Sequence, residues 1–501
     1  SSGKSSKNHT EVEKLMKKGD IKVNVFLNTA KTVLGIIFPL ITFPYVSRVL
    51  QVDAIGIYNF SASINSYFLL IAGLGVSTYA IREGAIYRDN KKKTTEFVSE
   101  VFSINLIATF ISYILLFLCL LTIPQLGSYK KPILILSVEI LFSALGINWI
   151  YNIYEDFLFI TIRTLCFQVI SLIATFAFVR NTNDLMKYIL IVAFSSSSAN
   201  VVNFLVARKK YSKFRFKFHC NWKEHLKPIL VIFSTTVAIN VYVNSDTTIL
   251  GILTNDYQVG LYSTAAKIYT ILKNVLAAML TVLIPRFSLL INKKNLSNAN
   301  ELFSKVFNTM SIFLLPVSIG LFMTSSDVIF LVAGKNYLAG SEALKLLSVA
   351  TIFSLFAYMY TQCILIPAKE ENVVFKATLI SAAANIILNL VLIPVFGMNA
   401  AAFTTIIAEF IVFYIAFKES NTIVKLEGIK RNLMTVFAGC AIIIIVCAVM
   451  GRLIQKSISR LIVSVFASCL LYGVTLILMR NEIVLELIKR INHKINKRSN
   501  D

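Results

Sequence analysis

Four basic residues lie inside stretches that are otherwise apolar: Lys31, Arg163, Lys267 and Lys273. A cation near the centre of a bilayer costs at least ~2.5–3.5 kcal/mol, so each needs a partner, water or a task. The chemistry open to such a group is to hold an anion, and phosphate takes especially strong charge-assisted hydrogen bonds. Amides and hydroxyls accompany two of the lysines at helical spacing. Asn24, Asn28, Lys31, Gly35 and Thr42 share one helix face. So do Thr236, Asn240, Asn244, Thr247 and Gly251, and again Ser263, Lys267, Thr270, Asn274 and Thr281, with Lys273 at that stripe's edge. Lys31, Lys267, Asn28, Asn240, Asn244, Thr270 and Asn274 are therefore candidate substrate ligands, with Lys273 and Arg163 as further cations. Small polar residues also fill ordinary interfaces between membrane helices. That reading is preferred for Thr161, Thr164, Gln168, Ser171 and Thr175, and Arg163, off their stripe, reads as structural.

The acidic residues inside apolar stretches are Glu139, Asp246 and Glu409. Asp246 is turned away from the Asn240–Asn244 stripe, which calls for an interhelical partner, with a basic side chain as one choice. Asp246 and Glu409 are the candidate ion-coupling carboxylates. No GxxxxGK[ST] loop is present to cradle a nucleotide phosphate. No cofactor is expected, and a process driven across the membrane would draw on a proton or sodium gradient instead. His219, Cys220 and His225 lack a fourth ligand, so a solvated basic loop is expected there rather than a metal site. Glu155 and Asp156 suit a helix N-terminus as well as they suit a catalytic pair.

These side chains need helices long enough to cross a membrane. At 501 residues, 56% hydrophobic and with a mean hydropathy of +0.72, the chain is more apolar than a globular domain. Apolar runs of about 20 residues recur along it, whereas the ~10-residue alternation of a barrel does not. The expectation is an all-α polytopic membrane protein with fourteen transmembrane helices. They fall near 22–49, 61–83, 98–123, 132–153, 157–179, 186–207, 228–252, 258–285, 303–324, 344–367, 373–394, 398–417, 432–450 and 461–479. Most of the 49 Lys and Arg residues lie in the tails and in the loops on their side. That asymmetry puts both termini in the cytoplasm and accounts for the net charge of +23 without nucleic acid.

The sequence also repeats itself. Gly56-Ile57-Tyr58 continues through Ala62 and Ile64 as Gly260-Leu261-Tyr262 continues through Ala266 and Ile268, and Ser99-Glu100-Val101-Phe102 echoes Ser304-Lys305-Val306-Phe307. Matches at nearly one offset mark an internal duplication. The plan is a polar tail (1–21), a six-helix half (22–207), a basic connector (208–227), a second six-helix half (228–417), an extra helix pair (432–479) and a basic tail (480–501). Parallel repeats of this kind place a substrate path between halves. Pro39, Pro44 and Pro316 can bend or break their helices. The 325–345 segment suits either a short surface helix or a loop.

Phe43-Pro44-Tyr45-Val46-Ser47-Arg48-Val49-Leu50 with Gly56-Ile57-Tyr58, and Thr248-Ile249-Leu250-Gly251 with Gly260-Leu261-Tyr262-Ser263 and Ile284-Pro285-Arg286, carry a family resemblance. With the fourteen-span plan, the chain resembles the Wzx-type polysaccharide flippases of the multidrug/oligosaccharidyl-lipid/polysaccharide exporter superfamily. Ile153-Tyr154-Glu155 departs from the Gly-Leu-Glu of many members, which puts that corner's shape in question. The resemblance implies a multidrug-exporter-like fold and a cavity lined mainly by helices 1, 2, 7 and 8. It implies a substrate, undecaprenyl-pyrophosphate-linked oligosaccharide, carried across the bacterial cytoplasmic membrane for capsule, O-antigen or exopolysaccharide synthesis. Membrane lipids, a polysaccharide polymerase and glycosyltransferases are the implied partners. In that setting Lys31 and Lys267, each ~13 Å from its end of the membrane, would hold the pyrophosphate in turn. The alternatives are a drug or cation exporter of the same fold, which would want acids in the cavity, and a membrane enzyme of polysaccharide synthesis, which would want a catalytic acidic pair.

Overall fold

The computed structural model describes residues 21–211, 213–217, 221–293 and 295–486; side chains are described for these except residues 21–34, 36 and 223. Among the described residues the regular structure is helical throughout. The contacts divide the chain into two compact units, Ser1–Asn240 and Val241–Asp501.

The first unit opens with α1 (Ile21–Gly73), followed by α2 (Val76–Gly84), α3 (Lys91–Thr122), α4 (Lys130–Ser143), α5 (Asn148–Ile153), α6 (Phe157–Phe178) and α7 (Leu185–Lys210). Helix α8 (Trp222–Leu253) crosses into the second unit. There follow α9 (Asp256–Thr281), α10 (Ile284–Asn292), α11 (Leu296–Ala333), α12 (Ser341–Tyr360), α13 (Glu371–Phe396), α14 (Met398–Ser420), α15 (Ile429–Leu453) and α16 (Ser457–Leu478). Twelve helical segments are long and apolar enough to span a membrane, and α9 with α10, bent by 44°, forms a thirteenth. Helix α1 holds two of the expected spans joined at Gln51, whose φ of 69° breaks the helical path. Counting its arms separately gives the expected fourteen.

The prolines do not break their helices. Pro39 and Pro44 lie within α1, Pro316 within α11, and the chain turns at Gln51 instead. A proline removes one amide, which leaves the carbonyl four residues earlier without its donor. For Pro316 that carbonyl is Ile312, and the Tyr472 hydroxyl donates to it at 2.9 Å. Gly439 makes room for the ring: a Cβ there would come within 2.5 Å of Tyr472. Tyr472→Phe should therefore lower the stability of the purified protein by about 1–3 kcal/mol, the cost of a buried unsatisfied carbonyl. Thermal unfolding in detergent measures this, and an unchanged midpoint would mean that another donor serves Ile312. The extra pair is tied further by Asn481, whose amide donates to Asn432 Oδ1 at 2.8 Å and Thr435 Oγ1 at 2.7 Å. Arg460 grips buried Asp327 with two nitrogens, Nε at 2.7 Å.

Each unit keeps its main aromatic core at the ends of its spans. In the first, Tyr79, Phe97, Phe102, Trp149, Tyr151 and Phe214 cluster; in the second, Phe287, Phe303, Phe307, Phe356 and Tyr360 do. There the returning chain excludes water, so burial drives packing as it does in soluble proteins, by about 1.5–3 kcal/mol per large side chain. In mid-bilayer that force is absent between helices.

The duplicated serines explain how each core is closed. Ser99 accepts the amide of Arg215 at 3.2 Å and Ser103 that of Lys217 at 2.8 Å. In the second unit Ser304 accepts the amide of Glu427 at 2.9 Å and Asn300 that of Lys425 at 3.0 Å. The echo read in the sequence thus marks where the segment after each sixth span is strapped to the third.

The structure resolves three local questions and corrects one expectation among them, that for His225. The 325–345 segment forms no separate surface helix: α11 runs to Ala333, one 3₁₀ stretch covers Lys335–Gly340, and α12 begins at Ser341. His225 is no solvated loop residue, being 5% exposed with Nδ1 2.7 Å from the Tyr79 hydroxyl and Nε2 2.9 Å from Glu100. It starts an apolar helix, and its two ring nitrogens are satisfied by that pair. His219 and Cys220 lie outside the described residues, and no metal-holding cluster occurs among those described. At the corner before α6, Glu155 has φ of 56° and pairs with Arg88 at 2.8 Å. Asp156 accepts from Lys210 at 2.5 Å and from the Tyr211 hydroxyl. Burial opposes ionisation there, yet these two contacts hold its carboxyl below the usual range.

Candidate functional site

Helix α9 carries polar chemistry on two different faces. Val259, Leu261, Tyr262, Ala265, Tyr269, Leu276 and Leu280 are buried. On the other side Thr270 and Asn274 are exposed and Lys267 is half-buried. Tyr262 and Lys267 are five residues apart, a rotation of about 140° around the helix axis. Lys267, Thr270 and Asn274 thus form an accessible face with a cation, an amide and a hydroxyl, while the Ser263 hydroxyl of the same stripe is buried.

The buried face meets the two acids. Asp246, on α8, is 7% exposed. Its Oδ2 accepts from the Tyr262 hydroxyl at 2.6 Å and from Thr405 Oγ1 at 2.8 Å, and its Oδ1 from Asn389 Nδ2 at 2.6 Å. A second ring of amides and hydroxyls holds these partners. Asn385 Oδ1 accepts from Asn389 at 3.1 Å and from Ser245 at 3.0 Å, while Thr404 donates to Asn389 Oδ1 at 2.5 Å. Three spans besides α8 therefore converge on one carboxylate: α9, α13 and α14.

Glu409, on α14 and 5% exposed, is held differently. Its Oε1 accepts from Tyr269 at 2.8 Å and from the Lys273 ammonium at 2.9 Å. Lys273 also lies 5.7 Å from the Tyr269 ring centroid, within cation–π range. Glu409 thus has a counter-charge. Asp246 has interhelical partners, as its direction on α8 led one to expect, but those bonded to its oxygens are neutral donors and not a basic residue. An ionised carboxylate in such surroundings costs several kcal/mol, which a bound proton or small cation would offset.

The remaining sequence candidates fall elsewhere. Asn240 and Asn244 are half-buried on α8. Arg163 donates to the Ala199 carbonyl at 3.2 Å and to Asn148 Oδ1 at 3.3 Å, binding α6 to its neighbours in the first unit. Glu139, also there, bonds to Ser196. The side chains of Asn28 and Lys31 lie outside the described residues. Sequence reasoning did not single out Tyr262, Asn385, Asn389, Thr404 or Thr405 as one site. The readable signal was Asn385 and Asn389 four apart on one span, beside a Thr404-Thr405 pair on the next.

The chain is similar to several known proteins. Residues 21–291, more than half of the chain, match the polysaccharide biosynthesis protein family. A putative O-antigen transporter of Escherichia coli K12 is 25% identical over 258 residues, 50% of this chain and 61% of that protein. The chain thus spans about three fifths of that relative's length. A putative O-antigen transporter of Shigella dysenteriae is 22% identical over 382 residues, 75% of this chain and 94% of that protein. Among solved structures, the lipid II flippase MurJ in an inward closed conformation superposes with a TM-score of 0.71 at 17% identity. That superposition covers 92% of this chain and 99% of MurJ, a likeness of fold. The resemblance read from the sequence motifs is borne out at the level of the family: this multi-pass membrane protein belongs to the polysaccharide biosynthesis protein family.

Proposed function

We propose that the protein is an ion-coupled secondary transporter, not an enzyme. It moves an undecaprenyl-pyrophosphate-linked oligosaccharide across the bacterial cytoplasmic membrane for capsule, O-antigen or exopolysaccharide synthesis. The observation that carries this reading is the two-faced helix α9: Lys267, Thr270 and Asn274 on its accessible side, and Tyr262 and Tyr269 bonded to acids on its buried side. Lys267 meets the pyrophosphate and the amides and hydroxyls meet sugar. The prenyl tail stays in lipid. Binding or loss of a proton or sodium ion at Asp246 changes its bonds to Tyr262, Asn389 and Thr405, and so biases the packing of α9 on α14 and the hold of α8 on α13. The names of the Escherichia coli and Shigella relatives support the substrate class. A polysaccharide polymerase and glycosyltransferases fit as partners on the same pathway. The drug-exporter reading is less favoured, because both acids on this face of the second unit are buried in helix packing and the accessible face is basic.

The test is translocation in proteoliposomes. Polyprenyl-pyrophosphate-linked oligosaccharide should become accessible to a membrane-impermeant glycosidase on the far side, at a rate set by an imposed proton or sodium gradient. Equal rates in protein-free vesicles would end the proposal. Orientation follows from the basic residues: both termini and the connector face the cytoplasm. In a background without native cysteines, Lys209→Cys and Lys335→Cys should react with an impermeant thiol reagent from opposite sides of the membrane. Reaction from one side only would overturn the topology.

A further inference from the structure

We propose that a cavity of the second unit, at the polar end of α11, binds a zwitterionic aminophospholipid, with its phosphate on Arg286 and its ammonium on Glu301. The cavity, of about 620 Å³, is enclosed by the ends of α9 and α10 and the start of α11. Its lining combines the apolar Met279, Leu283, Leu302 and Met310 with the charged Arg286, Glu301 and Lys305. Along α11 the sequence turns from Leu296-Ser297-Asn298-Ala299-Asn300-Glu301 to an apolar run after Lys305. The cavity lines residues 298–310 of that helix, ~18 Å along its axis. It therefore straddles the change from headgroup to hydrocarbon, and Val282 and Leu289, 79% and 62% exposed, flank it.

The charges select the headgroup. Lys305 is occupied by Glu486 at 2.9 Å. Arg286 and Glu301 are exposed, and among the described residues neither side chain makes a hydrogen bond or ion pair. Among the described residues, one positive and one negative side chain without a partner thus border the same cavity without pairing with each other. The corresponding arginine of the first unit, Arg82, is by contrast paired with Glu83 at 3.0 Å. A phosphoethanolamine head offers a phosphate anion and an ammonium with three donors. A phosphoglycerol head would leave Glu301 facing an anion, and a choline head has no N–H to donate to it. The proposal is independent of the transport reading.

The experiment is native mass spectrometry of the full chain with equimolar phosphatidylethanolamine, phosphatidylglycerol and phosphatidylcholine of identical acyl chains. Retention of phosphatidylethanolamine should exceed that of either other lipid by about fivefold, the effect of one exposed charge contact. Arg286→Gln should lower retention of both phosphatidylethanolamine and phosphatidylglycerol. Glu301→Gln should abolish only the preference for ethanolamine. Equal retention of the three lipids, or phosphatidylglycerol above phosphatidylethanolamine, would overturn the proposal, as would wild-type preference in both variants. If either variant unfolds, the wild-type headgroup comparison alone decides.

Discussion

Replacing Lys267 by glutamine should leave the protein folded and in the membrane, yet reduce translocation about ten- to a hundredfold. That range is what losing one charge-assisted contact to phosphate is worth, ~1.5–3 kcal/mol. The rival account is that Lys267 snorkels to an interface and touches no substrate. Its position argues against this: Lys267 is ~16 Å along α9 from Asp256 and ~21 Å from Thr281, so neither helix end is near. Glutamine keeps much of the stem and offers an amide, so packing is spared while the charge is removed. Lys31→Gln is expected to give the same loss from the first unit. The measurement is restoration of surface polysaccharide in a strain lacking the transporter, with membrane abundance checked alongside. Thr270→Ala and Asn274→Ala should have smaller effects, because neutral contacts to sugar hydroxyls are worth about half as much. Full restoration by Lys267→Gln, Lys31→Gln and the double variant would refute the pyrophosphate role of these lysines.

Hydropathy made the helices legible, because a helix that crosses lipid must carry about 20 apolar residues whatever else it does. The duplication was legible too, although its purpose was not. Ser99 and Ser304 repeat because each receives an amide from a segment more than a hundred residues further on, a relation that spacing alone cannot express. The same limit hid the Asp246 site. Its direction on α8 showed that it points away from the Asn244 stripe, but Asn389 and Thr405 lie 143 and 159 residues away. Within apolar helices such residues read as ordinary interface filling. Prolines misled for a related reason: the remedy for Pro316 is Tyr472, on another span. Sequence gives the donor that is lost, and only the fold gives the one that replaces it.

Asp246→Asn should uncouple transport from its ion gradient while leaving a folded protein. All three direct partners of Asp246 are donors, from Tyr262, Asn389 and Thr405. An asparagine keeps one acceptor and places an amide against a donor on the other side. Thr405 can yield without loss, since its hydroxyl also reaches the Ala401 carbonyl at 2.9 Å. The cost in stability is then about 1–3 kcal/mol, small enough to keep the fold. What is lost is the negative charge that gives a proton or sodium ion a reason to bind. Substrate should still cross down its own gradient in proteoliposomes, but an imposed proton or sodium gradient should no longer change the rate. A parallel sign should appear without substrate. If the ion is sodium, wild-type protein at a hundredfold excess over Kd should gain about 2.7 kcal/mol of stability, and the variant none. If it is a proton, the wild type should gain stability as pH falls and the variant should not. Glu409→Gln should behave otherwise, because it leaves the Lys273 ammonium without its partner and so costs stability first. Gradient dependence unchanged in Asp246→Asn would refute the coupling role, and loss of folding in that variant would assign Asp246 to holding α8 against α13 and α14 instead.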